Sequence, residues 1–182
     1  MRLTTIPTTT TNPAVTPLYA AVKSALGMVP NLMQVVGNSP AALEGYLGLN
    51  AALGKGKLPA AVRERIALVV AQDNRCDYCL AAHTLLGKGA GLAPDEIQRA
   101  RLGTASDAYA AAAVTLARAV NAQRGHVSDA EVAAARSAGL DDGAIVEVVL
   151  NVALNVLTNS VNNLAQTTID FPAAPALAAR QA

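Results

Sequence analysis

The chain has 182 residues, a length typical of one domain with a core of its own. Hydrophobic residues make up 52% of it but aromatic residues only 3%, and alanine dominates the apolar set. Side chains this small favour closely packed helices over an aromatic-rich sheet. The formal net charge is +1 with 15% charged residues, and because there is no basic stripe we expect no nucleic-acid partner.

The N-terminal residues and the hydropathy pattern bear on location. Residues 1–12 include four consecutive threonines between two prolines and predict an extended arm, either disordered or laid over a partner subunit. The arm lacks the apolar segment of a signal peptide, and no stretch of about 18 apolar residues is free of polar interruption. We therefore expect a cytoplasmic protein with no membrane span. The predicted organisation is an arm at 1–12, a single all-α domain at 13–172 and a C-terminal tail at 173–182.

Caps, breakers and hydrophobic periodicity predict a succession of helices. In chain order they are expected at 16–26, 30–36, from a cap at Ser39 to about Gly54, at 58–72, from about Asn74 to 87–91, from Pro94, from a cap at Ser106 to about Gln123, from a capping box at Ser128 and Glu131, and from Gly139 to about Thr167. The buried stripe of the helix at 58–72 is expected to be Val62, Ile66, Val69 and Val70.

The last predicted helix is apolar nearly all round except for one polar ridge at steps of four. This ridge consists of Glu147, Asn151, Asn155, Asn159 and Asn163. Burying amides costs free energy unless they are hydrogen-bonded. We therefore expect the ridge to lie at a helix–helix or subunit interface.

One stretch holds the residues with the most chemistry. They are Glu64, Cys76, Cys79 and His83. At about 100° per helical residue, the last three project from one face of a helix. His83 follows Cys79 by four residues, so its imidazole can share the proton of that thiol. Asp73 or Asn74 is expected to cap the helix and to place Cys76 in its first turn, where the helix dipole favours a thiolate. The two cysteines can also close a disulfide.

The spacing Glu-x11-Cys-x2-Cys-x3-His resembles the signature of alkylhydroperoxidase D (AhpD) in the carboxymuconolactone decarboxylase superfamily. Three flanking segments are similar to its peroxidase-related branch, in the same order: 29–32, 39–43 and 169–172. The resemblance implies an all-α, AhpD-like multi-helix bundle and a thiol-dependent peroxidase that needs no cofactor or metal. Cys79 would attack the peroxide, Cys76 would resolve the intermediate, and Glu64 with His83 would relay protons. In one departure, Tyr78 stands where well-studied members carry a histidine.

The resemblance also implies partners. These are a hydroperoxide substrate, a dithiol reductant (a lipoyl group or a thioredoxin-like protein), and further copies of the chain in a trimer or hexamer. The low charge and the apolar last helix independently predict a homo-oligomer.

Other interpretations of the same residues remain open. Glu64, both cysteines and His83 are four ligands that zinc accepts, although structural zinc sites usually use more thiolates or two histidines. The superfamily's lactone decarboxylation needs no cysteine pair, and a non-catalytic oligomeric module would leave the pair without a role. The spacing of the motif also recurs in the last helix, which suggests an internal pseudo-twofold repeat. The matching residues are Glu147, Asn159, Asn162 and Gln166.

Overall fold

The structure, a computed structural model, describes residues 1–177. Within that range it contains nine α-helices and no strand, which confirms the all-α prediction. The helices are α1 (Thr16–Leu26), α2 (Asn31–Val36), α3 (Pro40–Leu53), α4 (Ala60–Asp73), α5 (Asp77–Gly89), α6 (Pro94–Arg101), α7 (Ala108–Gln123), α8 (Asp129–Ser137) and α9 (Asp142–Ala165). Of the tail predicted at 173–182, residues 178–182 lie outside the described range.

Helix α4 is the centre of the bundle and packs against α5, α6, α7 and α9. The predicted stripe Val62, Ile66, Val69 and Val70 is buried in one apolar cluster with α7 and α9. The opposite side of α4, with Leu68 and Ala71, is buried in a second cluster with α1, α2 and α5. A helix that is apolar on both sides in this way needs neighbours all round. The core therefore consists of two clusters separated by α4.

Most helix ends follow the local rules read from the sequence. Gly27 ends α1 in the left-handed conformation, with φ of 77°. Ser39 caps α3, and the capping box of Ser128 and Glu131 opens α8. The cap predicted at Ser106 was wrong by one residue, because Asp107 accepts the N–H of Ala110 and begins α7. The N–H of Ser106 instead donates to a carboxylate of α6.

The polar ridge of α9 faces the chain's own interior. Glu147 accepts the N–H groups of Lys57 and Leu58 at 2.9 and 3.0 Å, just before α4 begins. Asn159 accepts from Asn74, where α4 ends, at 3.0 Å. The ridge thus holds both ends of α4. The expectation of a helix–helix interface is confirmed inside one chain.

The outer face of α9 is apolar. Side chains on it are between 39% and 59% exposed: Val146, Val149, Leu150, Leu157 and Leu164. By length and composition alone α9 could cross a membrane, with a mean hydropathy of 1.6, which differs from the expectation of no such stretch. Its inner face, however, is buried with its asparagines in the bundle, as in a core helix.

The N-terminal arm is ordered and lies against its own chain, so the expectation of disorder was wrong. The N–H of Ile6 donates to the carbonyl of Gln34 in α2, and the Tyr19 hydroxyl of α1 donates to the carbonyl of Ile6. The N–H of Arg2 donates to the carbonyl of Ala165 at the end of α9. These bonds tie the arm to three helices of the same chain.

The two stretches of the suggested internal repeat differ in backbone. The first consists of two helices, α4 and α5, joined by a turn, whereas the second is the unbroken helix α9. A pseudo-twofold relation between the two stretches therefore stays a prediction. It would have to superpose two helices and their turn on one unbroken helix.

Candidate active site

The site begins at the sharp turn between α4 and α5. Arg75 adopts a left-handed conformation with φ of 53°, and Cys76 is extended, which reverses the chain. Cys76 is itself the N-cap of α5, and its sulfur accepts the N–H of Cys79 at 3.2 Å. The predicted cap at Asp73 or Asn74 was therefore wrong. Because the cap is three residues later than Asp73, Cys79 rather than Cys76 lies in the first turn, where the helix dipole favours a thiolate.

The two cysteines are joined in a disulfide. Both are buried, with Cys76 0% and Cys79 3% exposed. The turn explains the pairing, since an extended N-cap residue turns its side chain back over the first helical turn. The cysteine pair is thus in its oxidised state.

The structure brings the other two predicted residues together. Glu64 of α4 lies opposite His83 of α5, with Oε2 and Nδ1 2.8 Å apart, and both side chains are 21% exposed. A carboxylate on Nδ1 fixes the orientation of the ring and stabilises an imidazolium. This pair of side chains can therefore hold a proton on α5, the helix that also carries Cys79.

A cavity of about 460 Å³ lies against these side chains. Its walls are mainly apolar and come from α1, α2, α3, α4, α5 and α9 together with the chain after α9. The polar residues of the lining are Tyr46, Asn50, Arg63, Glu64, Tyr78, Cys79, His83, Asn151, Asn155, Thr158 and Asn162. Of the two cysteines, Cys79 lines the cavity and Cys76 does not.

Tyr78, the residue that departs from the family pattern, anchors the site. Its hydroxyl donates to Asp170 at 2.7 Å and accepts the N–H of Leu32 at 3.1 Å, and its ring packs edge-on against Phe171. Burial, followed by the hydrogen bond to Asp170, raises the pKa of Tyr78 well above its usual value of 10.0. A phenol with so high a pKa is neutral at physiological pH. Tyr78 therefore ties α5 to α2 and to the chain after α9.

A second tyrosine, Tyr46, also lines the cavity. Burial, and secondarily the charge of Glu64, raises the pKa of Tyr46 to about 12. Tyr46 therefore stays protonated, and it adds no charge to the cavity at neutral pH.

Asn162 is a residue of the site that the sequence motif did not identify. Its side-chain amide donates to the sulfur of Cys79 at 3.3 Å, and the residue is 3% exposed. It lies one position before the ridge residue Asn163, so it is on an adjacent face of α9. The suggested repeat aligns Asn162 with Cys79 as equivalent positions 83 residues apart, and the structure places the two in contact.

The zinc interpretation finds no support in this geometry. Among residues 1–177, no group of three or more histidine, cysteine, aspartate and glutamate side chains is arranged to hold a metal ion. The two sulfurs are bonded to each other.

Part of the amino-acid sequence also matches a known family. The model of the carboxymuconolactone decarboxylase family matches residues 40–122, which run from α3 to the end of α7 and include the whole cysteine motif. This part of the chain is therefore similar to the carboxymuconolactone decarboxylase family. No protein with a curated function matches its sequence significantly.

Solved structures of similar shape give the same fold. A peroxidase-related AhpD-core protein from Ralstonia eutropha JMP134 has a TM-score of 0.83 and 20% identity over 93% of this chain and 92% of its own. A peroxidase-related protein from Silicibacter sp. TM1040 has 0.77 and 22% over 90% and 88%. The debrominase Bmp8, in complex with 2,3,4-tribromopyrrole, has 0.78 and 18% over 91% and 90%. At these identities the likeness shows that the chain has an AhpD-like fold.

Proposed function

We propose that the chain is a thiol-dependent peroxidase that reduces organic hydroperoxides through a dithiol/disulfide cycle of Cys79 and Cys76. One observation carries the proposal. The disulfide meets an apolar cavity through Cys79, at the place where the paired Glu64 and His83 also line it. A mainly apolar cavity of about 460 Å³ suits an organic molecule, and its polar lining includes the thiol, carboxylate and imidazole side chains that a proton-coupled thiol reaction needs.

The reaction would run in three steps. His83, held by Glu64, takes the thiol proton of Cys79, and the thiolate attacks the terminal oxygen of the hydroperoxide. An S–O bond forms as the O–O bond breaks, the sulfur loses two electrons, and the leaving alkoxide takes the proton from His83 to become an alcohol. Cys76 then attacks the sulfenic sulfur, so that a disulfide forms and water leaves. An external dithiol, a lipoyl group or a thioredoxin-like protein, returns the two electrons.

Thiol titration tests this proposal directly. The chain is reduced with a dithiol, freed of excess reductant, and treated with one equivalent of cumene hydroperoxide. We expect both thiols to disappear and one equivalent of alcohol to form. A Cys76→Ser, Cys79→Ser double variant controls for other oxidations. If the thiols of the wild-type chain persist, the peroxidase proposal is rejected and the alternative of a non-catalytic oligomeric module is favoured.

Reductive debromination is a second candidate, favoured by the combination of an apolar cavity with a fold shared with Bmp8. In such a reaction two thiols and an aryl bromide give a disulfide, the debrominated ring and hydrogen bromide. The same reduced chain is incubated with 2,3,4-tribromopyrrole, and release of bromide in step with thiol loss would favour this activity over the first.

We propose a cytoplasmic location, which suits a reducible cysteine pair.

We also propose that the chain consists of an arm at 1–12, a single domain at 13–172 and a tail at 173–182. Limited proteolysis tests these boundaries, since a single domain at 13–172 predicts a resistant fragment of about that extent.

A further inference from the structure

The contact between Asn162 and Cys79 stands apart from the family motif and joins helices α9 and α5. The amide nitrogen Nδ2 lies 3.3 Å from the sulfur. The other amide atom, Oδ1, is buried and has no hydrogen-bond partner among the described residues. Asn162 also lines the cavity. The residue therefore places a hydrogen-bond donor on the sulfur of Cys79.

Chemistry fixes which way the amide points. A sulfur in a disulfide or a thiolate carries no hydrogen, so only the NH₂ end of the amide can make a favourable contact with it. Oδ1 is then turned away from the sulfur. A disulfide sulfur accepts hydrogen bonds weakly, whereas a thiolate accepts them strongly because it is charged. The contact thus gains strength when the disulfide is reduced.

The contact across helices distinguishes Asn162 from other buried asparagines of α9. The asparagines about two and three turns earlier on α9 use their amides differently. Asn155 donates to the carbonyl of Asn151, and Asn151 to that of Glu147, within their own helix. Asn162 instead reaches across to another helix.

We infer that Asn162 is a catalytic residue that stabilises the Cys79 thiolate through its NH₂ group. The thiolate is the form that attacks a hydroperoxide, so this hydrogen bond lowers the pKa of Cys79 and increases the reactive fraction of the thiol. The substrate of that attack rests on the proposed peroxidase function, whereas the effect of Asn162 on the thiol does not.

The first measurement is independent of peroxide chemistry. In a Cys76→Ser background, the rate of reaction of Cys79 with methyl methanethiolsulfonate is followed against pH to give the thiol pKa. Asn162→Leu should raise this pKa by about one unit, because a hydrogen bond to the charged form is lost. Asn162→Asp should raise it further, because a carboxylate then faces the thiolate. The other titratable or charged groups around the cavity and behind Tyr78 are unaltered: Tyr46, Arg63, Glu64, Tyr78, His83 and Asp170.

Asn159→Leu is the matched control. Asn159 lies on the same helix, is 1% exposed and also has one buried amide atom without a partner, but it does not line the cavity. We expect it to leave the pKa of Cys79 in place. Circular dichroism establishes that each variant is folded, and Asn162→Asp, with almost the volume of the natural residue, serves if the leucine variant does not fold. Equal pKa values in the natural chain and all Asn162 variants would overturn the donor role.

The consequence for catalysis is tested with cumene hydroperoxide in the same Cys76→Ser background. At a pH below the thiol pKa, Asn162→Leu should react about tenfold more slowly, because a pKa raised by about one unit leaves about a tenth of the thiolate. A loss of rate without a rise in the pKa would reject thiolate stabilisation as its cause. If the natural chain does not react with the hydroperoxide, the peroxidase proposal fails, whereas the pKa measurement still decides the role of Asn162.

Discussion

At the scale of single residues, the two cysteines occupy unlike environments. Cys79 is in the first turn of α5, faces the cavity and receives the amide of Asn162. Cys76 is the cap residue before that turn and is fully buried. A thioredoxin-like order would make the first cysteine the nucleophile. Here the position of His83, one turn after Cys79 and nearly two after Cys76, favours the second.

Serine substitutions should separate the two roles. Cys79→Ser should abolish hydroperoxide consumption, because no thiol then faces the cavity. Cys76→Ser should consume about one equivalent and stop as a sulfenic acid, since the resolving thiol is gone. Peroxide consumption and labelling with a dimedone-type probe measure both results. An inert Cys76→Ser beside a Cys79→Ser that turns over once would reverse the assignment.

The sequence could predict part of this site. Glu64 and His83 follow from spacing, because two helices joined by a short turn fold back on each other and bring residues on either side of the turn together, and the structure pairs them at 2.8 Å. Asn162 could not be found in this way, since its role depends on where α9 crosses α5. The steps of four along α9 direct attention to Asn159 and Asn163, which bind the turn at Asn74 instead.

At the scale of helices, local rules placed most ends and tertiary contacts decided the exceptions. Ser39 and Ser128 cap helices because their own hydroxyls meet the nearby backbone N–H groups. Ser106 does not cap α7, because its backbone N–H donates to Glu96 of α6. The cap is Asp107, which accepts the N–H of Ala110. Glu96 also pairs with Arg65 of α4 at 2.7 Å, with the two side chains 11% and 10% exposed. This one carboxylate thus joins α4, α6 and the start of α7.

Removing the charge of Glu96 should cost much of the stability of the bundle. Glu96→Gln leaves Arg65 buried without its partner, so we expect the free energy of unfolding at neutral pH to fall by about 3 kcal/mol. Arg136→Gln is the control. It breaks the pair with Asp142, whose side chains are 57% and 81% exposed, and should cost less than about 1 kcal/mol. Urea denaturation measures both, and equal losses would contradict the argument.

The effect of Glu96 should also depend on pH in a defined direction. Burial alone would raise the pKa of this carboxyl group, but hydrogen bonds from Arg65 and Ser106 outweigh burial and hold its pKa below the usual 4.5. A carboxyl group with a pKa lowered by folding stabilises the fold above its unfolded pKa and loses that contribution as the pH falls through the folded pKa. The stability difference between the natural chain and Glu96→Gln should therefore shrink below about pH 4.5. A difference that grew in acid would have the wrong sign.

At the scale of the whole molecule, α9 has two faces with different uses. Its inner face, with Asn151, Asn155 and Asn159, is buried in the bundle. Its outer face is an apolar stripe from Val146 to Leu164, about 27 Å long at 1.5 Å per residue. Contiguous apolar surface of this kind on a folded chain marks an interaction site. The stripe, rather than the polar ridge, is where we expect copies of the chain to meet.

Substituting the middle of the stripe tests the predicted homo-oligomer. Light scattering at micromolar concentration should give the natural chain a mass of about three or six times 18.5 kDa. Leu157→Lys should lower the mass to that of one chain without loss of helicity. Association at micromolar concentration is worth about 8 kcal/mol, and burying an unpaired ammonium among apolar side chains removes several of these.

Leu85→Lys on α5 is the matched control, because Leu85 is 45% exposed against 42% for Leu157 but lies outside the stripe. The same charge placed there should leave the mass unchanged, since an ammonium in water carries no desolvation cost. A single-chain mass for the natural protein would reject the oligomer itself. If the oligomer survives Leu157→Lys but dissociates with Leu85→Lys, the interface between copies lies on α5 rather than on α9.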